Sequence, residues 1–149
     1  MFQYKDGRLY CQGVSFRLPD GIYIDTCPDL TVENTIWLYS EDEKYHFEVC
    51  VATSPKPLKE DLPMFIKDME AEETILSEAC SINGLSGYRA VYRDETMTYY
   101  EVRVRIGSLK EEFNCFEFEV ETAGKVDATT MMQRPEVAFI LDSIRVEKR

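Results

Sequence analysis

Thr98-Tyr99-Tyr100-Glu101-Val102-Arg103-Val104-Arg105-Ile106 alternates without a break. Tyr100, Val102, Val104 and Ile106 share one phase, and Tyr99, Glu101, Arg103 and Arg105 share the other. Successive side chains of a strand point to opposite faces, so the segment predicts a strand with one apolar and one charged side. A slip of one residue would bury the charges and expose the apolar set, which fixes the register.

The same period continues on either side. Phe116, Phe118 and Val120 alternate with Cys115, Glu117, Glu119 and Glu121. Tyr88, Ala90 and Tyr92 share a phase upstream, with Asp94-Glu95-Thr96 placed to close a hairpin. Further back, residues 35–39 (TIWLY) and the alternating Tyr45, Phe47, Val49 and Val51 predict a second hairpin around Glu41-Asp42-Glu43. Residues 5–25 read as a strand pair, with turns at Asp6-Gly7, Gln12-Gly13 and Pro19-Asp20-Gly21.

Two segments change period. Leu58, Leu62, Phe65, Ile66 and Met69 form one helical stripe. Proline fits only the first turn of a helix, so Pro63 moves the expected start toward Asp61. Asp127 is a good N-cap for a second helix through Met131, Met132, Val137, Ile140 and Leu141, broken at Pro135. Ile144 and Val146 predict a last short strand. The expected fold is α+β: one antiparallel sheet of about six or seven strands with two main helices, a single domain over residues 1–149.

The 149 residues are 44% hydrophobic, 30% charged and 12% aromatic, an ordinary globular composition. A net charge of −11 repels a phosphate backbone and an anionic bilayer. Nucleic acid and membranes are therefore not expected partners, whereas a basic protein is admitted. Cys11, Cys27, Cys50, Cys80 and Cys115 are odd in number and never spaced CxxC, which predicts reduced thiols rather than disulfides or zinc. Residues 1–18 hold no apolar run of signal-peptide length, so a cytoplasmic location is the expectation.

No catalytic pattern stands out, and no catalytic residue, cofactor or metal site is assigned. His46 is the single histidine, on the polar phase of a strand, where it reads as a surface residue. Cys115 shares its phase with Glu117 and Glu119, which would raise its pKa and blunt it as a nucleophile. Gly84-Leu85-Ser86-Gly87 lacks the spacing and lysine of a phosphate loop and reads as a turn. Glu70-Ala71-Glu72-Glu73 lies where the first helix should end, against its dipole.

The layout resembles the PsbP-like family, which includes PsbP subunits of photosystem II and Ran-binding Mog-type proteins. The resemblance rests on Gly13-Val14-Ser15-Phe16-Arg17-Leu18-Pro19-Asp20-Gly21, on the strand-to-helix passage of residues 45–69, and on Phe139-Ile140-Leu141-Asp142-Ser143-Ile144-Arg145-Val146. It covers about residues 13–147 and is carried mainly by the order of elements. It implies a non-catalytic binding or assembly role, and it transfers no site residue.

Two functions follow as expectations. One is a non-catalytic protein-interaction module. Its candidate surface is Arg89, Tyr99, Arg103 and Arg105, with the arginines facing solvent beside Glu101, Glu117 and Glu119. The other is an enzyme or small-molecule-binding protein with a pocket lined by Tyr, Trp37 and Met.

Overall fold

The computed structural model describes residues 1–26 and 32–147. Cys27 lies outside the described residues. The strands are β1 (Gln3–Lys5), β2 (Arg8–Cys11), β3 (Val14–Arg17), β4 (Ile22–Ile24), β5 (Thr35–Ser40) and β6 (Tyr45–Ala52), then, after helix α1 (Leu58–Asp68), β7 (Glu73–Ile82), β8 (Leu85–Arg93), β9 (Met97–Arg105) and β10 (Cys115–Ala123). Helices α2 (Ala128–Met132) and α3 (Pro135–Asp142) and strand β11 (Arg145–Val146) complete the chain. The fold is α+β with two antiparallel sheets. One has seven strands in the order β4-β5-β6-β10-β9-β8-β7, and the other has four in the order β1-β2-β3-β11.

An antiparallel sheet of the expected size is present, but the strands do not all join it: β1, β2 and β3 pair with the last strand, β11, in a second sheet. Asp6-Gly7, Gln12-Gly13 and Asn83-Gly84 all have positive φ. A consecutive pair in that region suits a two-residue hairpin turn, so one turn chemistry closes β1–β2, β2–β3 and β7–β8. Gly84 thus belongs to a turn, as expected, but Leu85, Ser86 and Gly87 belong to β8.

Strand β7 has no counterpart in the sequence reading. It is an edge strand, mostly exposed, with an irregularity between Thr74 and Leu76. Backbone pairing to β8 holds it more than burial does, so its apolar residues do not alternate cleanly.

Helix α1 begins at Leu58, with Pro57 as N-cap, so Pro63 lies inside it and not in its first turn. The missing N–H leaves the Lys59 carbonyl without its helical donor, but Lys59 is exposed and water can serve it. Tertiary bonds hold the early turns. The Asp61 carboxylate accepts a 2.6 Å hydrogen bond from Ser54 Oγ and pairs with Arg103 Nη1 at 3.0 Å. Glu70, at φ 57°, follows the C-cap and ends the helix, so residues 70–73 lie beyond its last turn.

The main core fills the space between the sheets. Leu9, Cys11, Val14 and Phe16 of the small sheet meet Val102, Val104, Phe116 and Phe118 of the large one, with Met131, Val137, Ile140 and Leu141 from α2 and α3. The Phe16 and Phe116 rings are edge to face at 6.0 Å. A second cluster lies on the opposite face of the large sheet, where α1 sets Leu62 and Ile66 on Ala90 and Tyr92. The face expected to be solvated is thus covered over β8 and β9 and open over β10, β6 and β5. No helix of the described residues is long and apolar enough to cross a membrane.

Candidate functional site

Side chains paired across antiparallel strands share a face, so the register alone maps the α1 side of the large sheet. Glu48 on β6, Glu119 on β10 and Glu101 on β9 lie directly side by side. The row on one side is Cys50, Glu117, Arg103 and Tyr88. The row on the other is Tyr39, His46, Glu121, Tyr99 and Tyr92.

The phase expected for β9 holds, since Tyr100, Val102, Val104 and Ile106 are all buried in the main core. The expected exposure of the arginines does not. Arg103 is only 5% exposed, because α1 lies over it. Its Nε donates to Glu101 Oε2 at 2.9 Å, its Nη1 reaches Asp61 Oδ2 at 3.0 Å and Glu117 Oε2 at 3.6 Å, and its guanidinium stacks 4.6 Å from the Phe65 ring centroid. Arg105 is half-buried and donates to the Ser54 and Lys56 carbonyls at 3.0 and 2.8 Å.

Arg89 is a second correction. It pairs with Val102, so it points to the opposite face from Arg103, beside Tyr100 and 3.6 Å from Glu78. The odd phase of β8 meets the even phase of β9, and only the inter-strand register sets that relation. Tyr99 does lie on the Arg103 side. It stacks on Tyr92 with centroids 5.0 Å apart and donates to Asp94 Oδ2 at 3.0 Å. The four residues singled out in the sequence therefore do not form one exposed patch.

The structure assembles an acidic trough beside them. One hollow of about 120 Å³ lies among Phe65, Cys50, Glu48, Glu101, Arg103, Glu117 and Glu119. A second, of about 90 Å³, lies among Trp37, His46, Glu48, Glu119 and Glu121. Glu48 and Glu119 line both, so the two hollows adjoin.

Burial pushes the trough carboxyls upward. Glu101 reaches about 7, driven first by burial and held back by Arg103. Glu119 goes further, to about 9: burial acts first, then the Glu101 and Glu48 charges. The two carboxyls are close enough to share a hydrogen bond, which favours a proton on one of them. Glu117 also rises, burial exceeding the opposing pull of Arg103. Burial works against the charge on Arg103, but Glu101, Glu117 and Asp61 outweigh it and hold the pKa upward.

The other candidates gain no reactive setting. His46 is exposed on the trough rim, paired across strands with Tyr39 and Glu121. The Cys115 thiol is pushed up to about 12, by burial first and Glu117 next. Cys11, Cys50, Cys80 and Cys115 are free thiols. Among the described residues, no group of three or more His, Cys, Asp or Glu is arranged to hold a metal ion.

The sequence displayed the acids of the trough but not their assembly. Glu117, Glu119 and Glu121 are visible as one phase of β10. Their juxtaposition with Glu48 requires β6 to pair with β10 across more than sixty intervening residues, which no local pattern specifies. No protein-family model matches the chain, and no curated protein matches it.

Proposed function

We propose that this protein is a non-catalytic interaction module that docks a basic segment of a partner protein over the acidic trough. The row of Glu48, Glu119 and Glu101, with Glu117 and Glu121 on either side, carries the reading. Arg103 is already committed to Glu101, Asp61 and Glu117, which leaves the open part of the trough with an excess of carboxyls. Trp37, Tyr39 and His46 flank it on β5 and β6, and an aromatic surface beside carboxylates suits a lysine or arginine side chain. The net charge of −11 would steer such a partner toward this protein. A cytoplasmic location and membership of the PsbP-like family belong to the same proposal. The order of elements, with α1 following β6 and a C-terminal helix preceding the last strand, supports the family reading, and the free thiols support the location.

Trp37 is the single tryptophan and lines the trough, so its fluorescence reports binding directly. A lysine- and arginine-rich peptide should shift the emission saturably, more weakly as salt rises. A Glu48→Gln/Glu121→Gln variant should lose most of that affinity, and a neutral peptide of equal length should give no shift. A peptide that leaves Trp37 unchanged, or binds the double variant equally well, overturns the reading. The rival, an enzyme or small-molecule-binding protein, draws on the same Trp37 hollow. It gains if a small amine binds there as tightly as the peptide.

A further inference from the structure

In a chain this acidic, one cleft is lined by arginines. Arg8 on β2, Arg17 on β3 and Arg145 on β11 border a cleft of about 320 Å³ closed on its other side by Phe139, Asp142 and Ser143. The convergence follows from register. Arg8 pairs with Arg17, and Arg145 pairs with Ser15, two residues from Arg17, so the three share the small-sheet face turned away from Leu9 and Phe16. Asp142 is the single carboxylate among the lining residues. Among the described residues, no carboxylate lies within ion-pair distance of the three guanidiniums.

Arg8 shows that this is more than surface charge. It is 7% exposed, yet its Nε and Nη2 bind only neutral acceptors, Ser15 Oγ at 3.1 and 3.0 Å and the Ser143 carbonyl at 2.6 Å. A buried cation without a counter-ion among the described residues, flanked by two like charges, is unfavourable in the free protein. Its pKa is lowered accordingly, by burial first and then by Arg145. The Ser15 and Ser143 bonds hold the guanidinium in one orientation. Arg17 is fixed from the side: its guanidinium stands 5.4 Å from the Phe139 ring centroid, and its backbone N–H donates to Ser143 Oγ at 2.8 Å.

We infer that this cleft binds a phosphate group, as the free ion or a phosphate monoester. Guanidinium forks match phosphate oxygens in geometry and charge, and an anion here would neutralise the Arg8 charge, which no carboxylate of the described residues pairs. Phe139 offers an apolar wall to the organic part of an ester. The site is separate from the acidic trough and does not depend on it.

Calorimetric titration of the full chain with inorganic phosphate and with phenyl phosphate, at constant ionic strength, tests the inference. Both should bind saturably. Phenyl phosphate should bind tighter if the physiological ligand is an ester, and equally if it is the free ion. Arg17 and Arg145 are exposed, so Arg17→Gln/Arg145→Gln should keep its melting temperature without phosphate and lose about tenfold or more in affinity. Arg145→Gln alone should weaken binding measurably, and Glu48→Gln/Glu121→Gln should bind phosphate as the parent does. Absence of saturation with either anion, or undiminished affinity in the arginine variants, overturns the inference.

Discussion

Arg103 Nε lies 2.9 Å from Glu101 Oε2, two residues away on the same strand, with side chains only 6% and 5% exposed. Residues i and i+2 of a strand share a face, so the pair is local in sequence, but its burial is imposed by α1. Removing one member of a buried pair strands the other charge. Arg103→Met should therefore cost about 3 kcal/mol or more in urea unfolding, where a surface arginine would cost about 0.5. Adding Glu101→Gln should recover part of that loss, with a coupling of about 1–3 kcal/mol. A loss below about 1 kcal/mol for Arg103→Met would show the pair to be solvated.

The Glu119 carboxyl gives the protein a pH dependence with a defined sign. An acid whose pKa rises on folding, here from 4.5 to about 9, holds its proton more tightly in the folded state. That contribution is complete below the unfolded value and declines as pH rises through about 9. The groups lining the hollows beside it are Glu101 and Arg103 from β9, Glu48 and His46 from β6, and Glu117 and Glu121 from β10, with Asp61 of α1 paired to Arg103 behind them. Glu119→Gln mimics the protonated acid. It should leave stability unchanged near pH 4, raise it by about 1–3 kcal/mol near pH 9, and flatten the curve between. An unchanged slope in denaturant melts across that range would exclude a proton on Glu119.

Thiol reactivity should follow burial. Cys115 is fully buried and its pKa is pushed up to about 12, whereas Cys50 and Cys80 are half-buried. Native alkylation at pH 8, read by peptide mass spectrometry, should label Cys50 and Cys80 before Cys115. Cys115 should react with them once the chain is unfolded. Early native labelling of Cys115 would contradict the packing of β10.

Gly87 is required by close approach of two strands. A Cβ built there would lie 2.8 Å from the Arg103 carbonyl oxygen and 3.2 Å from Cys80 Sγ. The nearer atom is backbone, so β8 and β9 would have to separate. Gly87→Ala should cost about 1–3 kcal/mol, and Gly87→Val more, in thermal or urea unfolding. A neutral Gly87→Ala would show that the strands can part without loss.

At the C-terminal end, the Asp127 carboxylate accepts from Thr130 N–H at 2.7 Å and caps α2. Asp127→Ala should destabilise by about 1 kcal/mol, whereas Asp127→Asn should cost only a fraction of that. Equal losses for the two variants would mean that charge, not the hydrogen bond, matters there.

The sequence determined whatever depends on neighbours two to four residues apart. Strict alternation from Thr98 to Ile106 set which β9 side chains enter the main core, because a slip would have buried charge. The stripe from Leu58 to Ile66 set the helix, and Asp6-Gly7 and Gln12-Gly13 set their hairpins through paired positive φ. Only the tertiary structure decided what lies over each face and which strands adjoin. Alternation says that Arg103 and Glu101 share a side, but not that α1 covers it. Nor does it reveal that Arg89 looks the other way, since the β8–β9 register is a relation between segments. The glutamate row from β6 to β9 and the arginine cleft from β2 to β11 are likewise sums of long-range pairings. Each arginine or glutamate reads singly as a solvated residue. Burial and convergence, which exist only once the sheets have formed, give these groups their shifted charges and their chemistry.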